Sequence, residues 1–213
     1  MDGAGKLFDV IRIDHFRGLE SYWAVPYGEE TARIGRWRPG PGMDLIGALT
    51  GWFPNLRLIA EDLGILTPEV EKLREESGLP GMKVLEFAFD PHDLSEYLPH
   101  SYPRNCVCYV GTHDNETVME WLDSADPETA AFARRYLGLS REEGYHWGLI
   151  RGGMSSAADT FVVQMQDLLE LGGEARINRP NTLGGNWEWR LTADQLKAAP
   201  VARLKEITRR YGR

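Results

Sequence analysis

Cysteine is scarce. The 213 residues hold two, Cys106 and Cys108. Two apart in a strand, they point to one face and are badly set to bridge each other. A chain of this length buries roughly 70% of its unfolded surface without covalent staples, so both are expected to stay thiols in a reducing compartment. Basic charge is in the minority, 24 Lys and Arg against 32 Asp and Glu, for a net charge of −8. No basic stripe is present, which speaks against nucleic acid and membrane as partners. No apolar run reaches the ~18 residues of a membrane-spanning helix. Met1-Asp2-Gly3-Ala4-Gly5-Lys6 has no hydrophobic signal core. A soluble, cytoplasmic protein is expected. The sequence also lacks a Walker loop and a G-x-G-x-x-G after a strand, and Gly152-Gly153-Met154-Ser155 is no nucleophile elbow. No cofactor is expected.

What is present is an alternation of strands and helices. Five branched, apolar runs recur: Phe8 to Asp14, Leu56 to Glu61, Met82 to Phe89, Cys106 to Gly111 and Thr160 to Gln166. Near-continuous apolar strands suggest a sheet covered on both faces. Thr67-Pro68-Glu69 opens a helix that Ser77-Gly78 closes, and Asp126-Pro127-Glu128 opens another that ends at Gly138. Ser140 to Glu143 and Thr192 to Gln195 have capping-box spacing. The alternation predicts an α/β fold, either an open doubly wound sheet or part of a (β/α) barrel. The first strand begins almost at once, as if the chain were entered in mid-fold. Glu20 to Asn55 reads as a long functional loop, with Tyr22, Trp23, Tyr27, Trp37, Trp52 and the breaker run Arg38-Pro-Gly-Pro-Gly42. Val201 to Arg213 has the period of a solvated last helix. His92, His100 and His146 are assigned no partner.

The acids carry the chemistry. Asp14, Glu61 and Asp114 stand at or just past the C-terminal ends of predicted parallel strands, the edge where ligands gather in α/β folds. Spacings of 47 and 53 residues leave room for crossovers, so the three carboxyl groups are expected to converge on one crevice. Each has polar neighbours: Arg12 and His15, Asp62, and His113. Acids in one crevice repel, so some stay ionised while one carries a proton. That division suits glycosidic-bond chemistry, in which a carboxylate attacks the sugar and a carboxylic acid protonates the leaving oxygen. The same Asp14, His15, Glu61, His113 and Asp114 are acceptable metal ligands, yet none has the spacing of a known metal motif. Seven Trp and eight Tyr suit stacking on sugar faces.

At these residues the sequence resembles a known family. Ile11-Arg-Ile-Asp-His-Phe-Arg-Gly18, Glu20-Ser-Tyr-Trp-Ala-Val-Pro26, Ile59-Ala-Glu-Asp-Leu-Gly64, Gly81-Met-Lys83, Gly111-Thr-His-Asp-Asn-Glu-Thr117 and Gly184-Gly-Asn-Trp-Glu-Trp-Arg190 are similar to the 4-α-glucanotransferases. These are also called amylomaltases or disproportionating enzymes and form glycoside hydrolase family 77. The matches run in order over nearly the whole chain. The resemblance implies a partial (β/α)8 TIM barrel, strands four to eight with flanking helices, residues 1–213 being the C-terminal portion of one catalytic domain. It implies a retaining transferase acting on maltooligosaccharides, amylose or glycogen-derived glucans, with no metal and no cofactor. Asp14 would be the nucleophile, Glu61 the general acid/base and Asp114 the transition-state stabiliser. Arg12, His15, His113 and Asn178 would contact the sugar, and Phe16, Tyr22 and Trp23 would line its wall. Two alternatives stay open: a glucan-binding half-barrel inactive alone, and an α-glucan hydrolase of the same clan. The absent first strands would come from further chain or from self-association through open sheet edges. Asn181 departs from the family, which commonly has glycine there.

Overall fold

The computed structural model describes residues 1–64, 66–93 and 96–213. It divides into two compact units, Met1–Met82 and Lys83–Arg213. The first contains a short helix α1 (Asp2–Gly5), β1 (Val10–Ile13), the strands β2 (Ser21–Ala24) and β3 (Arg36–Pro39), α2 (Gly42–Trp52), β4 (Arg57–Ala60) and α3 (Pro68–Ser77). Strands β1 and β4 pair in parallel, Val10 opposite Arg57 through Ile13 opposite Ala60. Phe16, Ile46, Leu58, Ala60, Leu73 and Leu79 form the core, so both α2 and α3 contribute to one cluster with β4. Helix α3 starts and stops where the sequence signals it. Pro68 occupies the first turn, the Thr67 carbonyl accepts from the Val70 and Glu71 N–H groups, and Gly78 closes the helix at φ 68°, a left-handed conformation that glycine takes without a Cβ clash.

The expected long loop from Glu20 to Asn55 is largely ordered into regular structure. Strands β2 and β3 pair antiparallel with Trp23 opposite Trp37, the two rings meeting edge to face at 5.5 Å. The Gly-Pro run hides this because its residues serve contacts rather than disorder. At Gly40 a Cβ would collide with the Gly18 and Leu19 carbonyls, and its N–H donates to Glu20. Gly42 then opens the eleven-residue α2.

The second unit is built on a three-stranded sheet in the order β5, β6, β7. Strand β5 (Gly81–Val84) straddles the division between the units, and β6 (Cys106–Tyr109) pairs in parallel with β7 (Thr160–Val162). Helices α4 (Val118–Ser124), α5 (Pro127–Leu137), α6 (Tyr145–Met154), α7 (Met165–Leu168), α8 (Ala193–Ala198) and α9 (Val201–Arg210) complete it. The main core gathers Phe89, Val110, Val118, Trp121, Leu149 and Ile150. Gly152 and Gly153 let α6 lie close, since a Cβ on either would strike Leu137 or the Phe161 ring. All five predicted strands are present but shorter than their apolar runs. Met82 to Phe89 leaves the sheet at Val84 and turns into a 3-10 helix over Leu85–Phe87.

The α/β class therefore stands. The described residues form three small sheets and no closed barrel. Thr192 and Gln195 make the reciprocal capping box at α8. Ser140 accepts from the Glu143 N–H only within a turn, and α6 begins later, after Gly144. Cys106 and Cys108 are buried and form no disulfide. Burial, with Cys106 beside it, pushes the Cys108 thiol up to about 12. No described helix is long and apolar enough to cross a membrane.

Candidate active site

The β1–β4 register offsets every partner by the same 47 residues that separate Asp14 from Glu61. The two acids thus leave the C-terminal ends of adjacent parallel strands, roughly 4.8 Å apart. Two backbone bonds lace these ends together: Glu61 N–H to the Ile13 carbonyl at 2.9 Å, and Phe16 N–H to the Glu61 carbonyl at 3.0 Å. The Glu61 carboxylate accepts from the His15 N–H at 2.7 Å and the Leu63 N–H at 3.0 Å. His15 makes its bond from a left-handed backbone, φ 50°, which is uncommon for a residue with a side chain. Arg12 Nη2 donates to Asp14 Oδ1 at 2.6 Å, and its Nη1 reaches Met82 Sδ at 3.7 Å. The Asp14 side chain remains 76% exposed, open to a substrate.

Tyr22 and Trp23 are part-exposed on the β2–β3 hairpin. Phe16 is not part of any sugar wall. It is fully buried in the core of the first unit, because the 3-10 turn after His15 directs it inward. Asp62, noted in the sequence only as a neighbour of Glu61, is buried and structural. Its Oδ1 accepts the Met82 N–H at 2.6 Å and its Oδ2 pairs with Arg74 at 3.2 Å.

In the second unit the chain turns after β6. Asn115 Oδ1 accepts from Thr112 N–H and Oγ1, at 2.9 and 2.7 Å. That turn presents His113 and Asp114. Asn178 Nδ2 donates to Asp114 Oδ1 at 2.6 Å, while His113 Nε2 lies 3.3 Å from Asp114 Oδ2. The Asn178 N–H donates to the His113 carbonyl at 3.1 Å, and the Trp187 ring stacks obliquely on His113 at 5.1 Å. Arg176 donates to the carbonyls of Asp114 and Asn178 and to Glu116. Arg176 falls outside the motifs that carry the family resemblance, and Glu116 and Trp187 lie within them without an expected role. Asn181 adopts φ 63°, a left-handed conformation that asparagine tolerates better than most residues with side chains.

The 4-alpha-glucanotransferase family model matches residues 1–196. The chain belongs to this family. It is 47% identical over 209 residues to a 4-alpha-glucanotransferase of Clostridium butyricum, covering 98% of this chain and 43% of the relative. A Synechocystis 4-alpha-glucanotransferase is 48% identical over 210 residues, with 98% and 42% covered. The structure of amylomaltase from Streptococcus agalactiae in complex with acarbose aligns with a TM-score of 0.93 and 37% identity, covering all of this chain and 43% of that one. The chain spans a little under half the length of these relatives.

Beneath the His113–Asp114 turn of this 4-alpha-glucanotransferase family member lie two buried acids that strand-end reasoning missed. Burial, reinforced by Asp167 and Glu116 and only partly opposed by Arg176, pushes the Glu86 carboxyl well above the usual carboxylate range. Neither of its oxygens has a hydrogen-bond partner, and it faces Gly111, where a Cβ would stand 2.9 Å from Oε1. Asp167 is raised to about 6 by burial, although the Val118 N–H donates to it at 2.8 Å. Two of the three histidines left without partners acquire them from distant sequence, while the buried His146 Nδ1 makes no hydrogen bond. His92 meets Glu128 at 3.3 Å, His100 Nδ1 meets the Tyr136 hydroxyl at 2.7 Å, and His146 lies 3.6 Å from Glu170.

Proposed function

We propose that this chain carries the catalytic residues of a 4-α-glucanotransferase, moving α-1,4-glucan segments between maltooligosaccharides, amylose or glycogen-derived chains. The observation that carries the reading is the placement of Asp14 and Glu61 at adjacent parallel strand ends, with Arg12 bonded to Asp14. Adjacent strand ends can present two carboxyl groups to one glycosidic bond, as a retaining pair requires. Asp14 attacks the anomeric carbon while Glu61 gives its proton to the glycosidic oxygen, so the C–O bond breaks as the glycosyl ester forms. Glu61 then takes the proton of an acceptor 4-hydroxyl, which displaces Asp14 and restores the α configuration. Asp114 holds sugar hydroxyls as positive charge develops. Arg12, His15, His113 and Asn178 contact the sugar, and Tyr22 and Trp23 offer faces to the acceptor. The reading carries a partial (β/α)8 barrel, and the buried thiols suit a reducing, cytoplasmic location.

The test is incubation with maltotriose. Disproportionation yields glucose and maltopentaose with no rise in reducing ends, and Asp14→Asn abolishes both products. Full activity after Asp14→Asn refutes the assignment, and a rise in reducing ends points to hydrolysis instead. A second reading follows from the chain spanning 43% of its relative: a glucan-binding portion whose turnover needs further chain. Titration calorimetry with acarbose that gives heat from a chain without turnover favours it.

A further inference from the structure

The His113–Asp114 turn is secured from outside its own strand. Arg176, 62 residues beyond Asp114, donates from Nη2 to the Asp114 carbonyl at 2.8 Å and from Nε to the Asn178 carbonyl at 2.9 Å. Its Nη1 donates to Glu116 Oε1 at 2.6 Å. The side chain is only 10% exposed. Two of its three acceptors are therefore backbone carbonyls of the residues whose side chains meet, Asn178 Nδ2 on Asp114 Oδ1. A guanidinium is planar and offers its N–H groups in fixed directions, so gripping three acceptors fixes their mutual positions. An ammonium cannot do this.

A second observation points to the same place. Trp187 holds φ 64°, a left-handed backbone that a bulky residue rarely takes. Such a conformation persists where the surroundings over-determine it. Here the Trp187 N–H donates to the Ile177 carbonyl at 2.7 Å, directly between Arg176 and Asn178, and the ring packs on His113. The segment thus clasps His113 and Asp114 by stacking on one and by hydrogen bonds to the other.

We propose that Arg176 is a positioning residue for glucan transfer, setting the Asp114 carboxylate and the Asn178 amide in the geometry that holds sugar hydroxyls in the transition state. It touches no substrate and acts through those two residues. The proposal rests on the transfer reading above. A merely structural Arg176 would be an ion pair with Glu116 that stabilises the fold, and the two roles separate by experiment.

Arg176→Met, Arg176→Lys and Glu116→Gln are compared with the parent chain in maltotriose kinetics and in amide hydrogen exchange. Displacement of a catalytic group by about 1 Å costs on the order of 10²-fold. Accordingly, Arg176→Met lowers kcat about 10²-fold with KM changed less than about threefold, the pattern of a lost transition-state interaction. Lysine does not restore it, and Glu116→Gln gives an intermediate loss. Exchange quickens at the Asn178 and Trp187 amides and stays unchanged in the strand Cys106–Tyr109. The proposal is overturned by kcat within threefold of the parent, by rescue with lysine, or by exchange that rises uniformly through the second unit. If Arg176→Met does not fold, Arg176→Lys and Glu116→Gln decide by the same readouts. A parent chain without transfer products refutes the transfer reading and takes the proposal with it. An active parent with an unimpaired Arg176→Met refutes the proposal alone.

Discussion

Asp167 offers a perturbation whose size follows from the structure. The residue has no exposed surface. One carboxyl oxygen accepts the Val118 N–H and the other has no partner. Burial outweighs that bond and raises the carboxyl from 3.8 to about 6, a gap of roughly two pH units worth about 3 kcal/mol. Below pH 3.8 both folded and unfolded forms are protonated and nothing is lost. Between 3.8 and about 6 the unfolded chain ionises while the folded one keeps its proton, so unfolding gains ground. Above about 6 the full cost applies. Asp167→Asn keeps the acceptor for Val118 and removes the titration. Its stability relative to the parent should therefore rise by about 2.4 kcal/mol between pH 4 and pH 7, the remainder falling below pH 4. Any penalty for the buried amide shifts both ends equally. Losing the Asp167 charge also relieves Glu86, whose carboxyl it pushes up, which adds in the same direction. Urea unfolding of both proteins at pH 4, 5, 6 and 7, with m values compared, measures the difference. A difference constant across that range, or one that falls as pH rises, would refute the reasoning.

Other outcomes follow from single sites. Phe16→Ala empties the core of the first unit at a fully buried position and should cost about 3–5 kcal/mol in denaturant unfolding. Asp62→Asn leaves Arg74 only the exposed Glu75 carboxylate, 3.8 Å away, and should cost about 3 kcal/mol, read the same way. Asn181→Gly should be neutral in thermal melts, whereas Asn181→Val, forced to φ 63°, should lose about 1–2 kcal/mol.

The parts of this fold legible in the sequence are those governed by local chemistry. Pro68 and Gly78, like Pro127 and Gly138, bracket helices because φ restriction and left-handed tolerance act within one or two residues. The β2–β3 hairpin escaped because its evidence is a cross-strand contact, Trp23 on Trp37, between residues that each look like loop aromatics. Phe16 was misplaced for a related reason: it follows the acid motif in sequence, but the 3-10 turn at Phe16–Leu19 reverses its direction. Arg176 was invisible because two of its acceptors are backbone carbonyls, which no residue type reveals.

The strand-end acids show where such reading stops. Glu61 and Asp62 are consecutive carboxylates past β4, and neither composition nor spacing separates them. Neighbouring residues of an extended chain project to opposite sides, so one meets the strand ends and the other meets what packs beneath. Asp62 faces Arg74 and the start of β5, buried with both oxygens engaged. Glu61 faces the turn after β1, where backbone N–H groups of His15 and Leu63 hold its two oxygens. The Asp62 pairing is expensive to break and leaves no oxygen for a substrate. The Glu61 partners are single N–H groups on flanking turns, and the carboxyl stays half-buried beside the exposed Asp14. The structure thus gives adjacent, chemically alike residues opposite settings, Asp62 buried between Arg74 and the start of β5 and Glu61 half-buried at the strand ends beside the exposed Asp14.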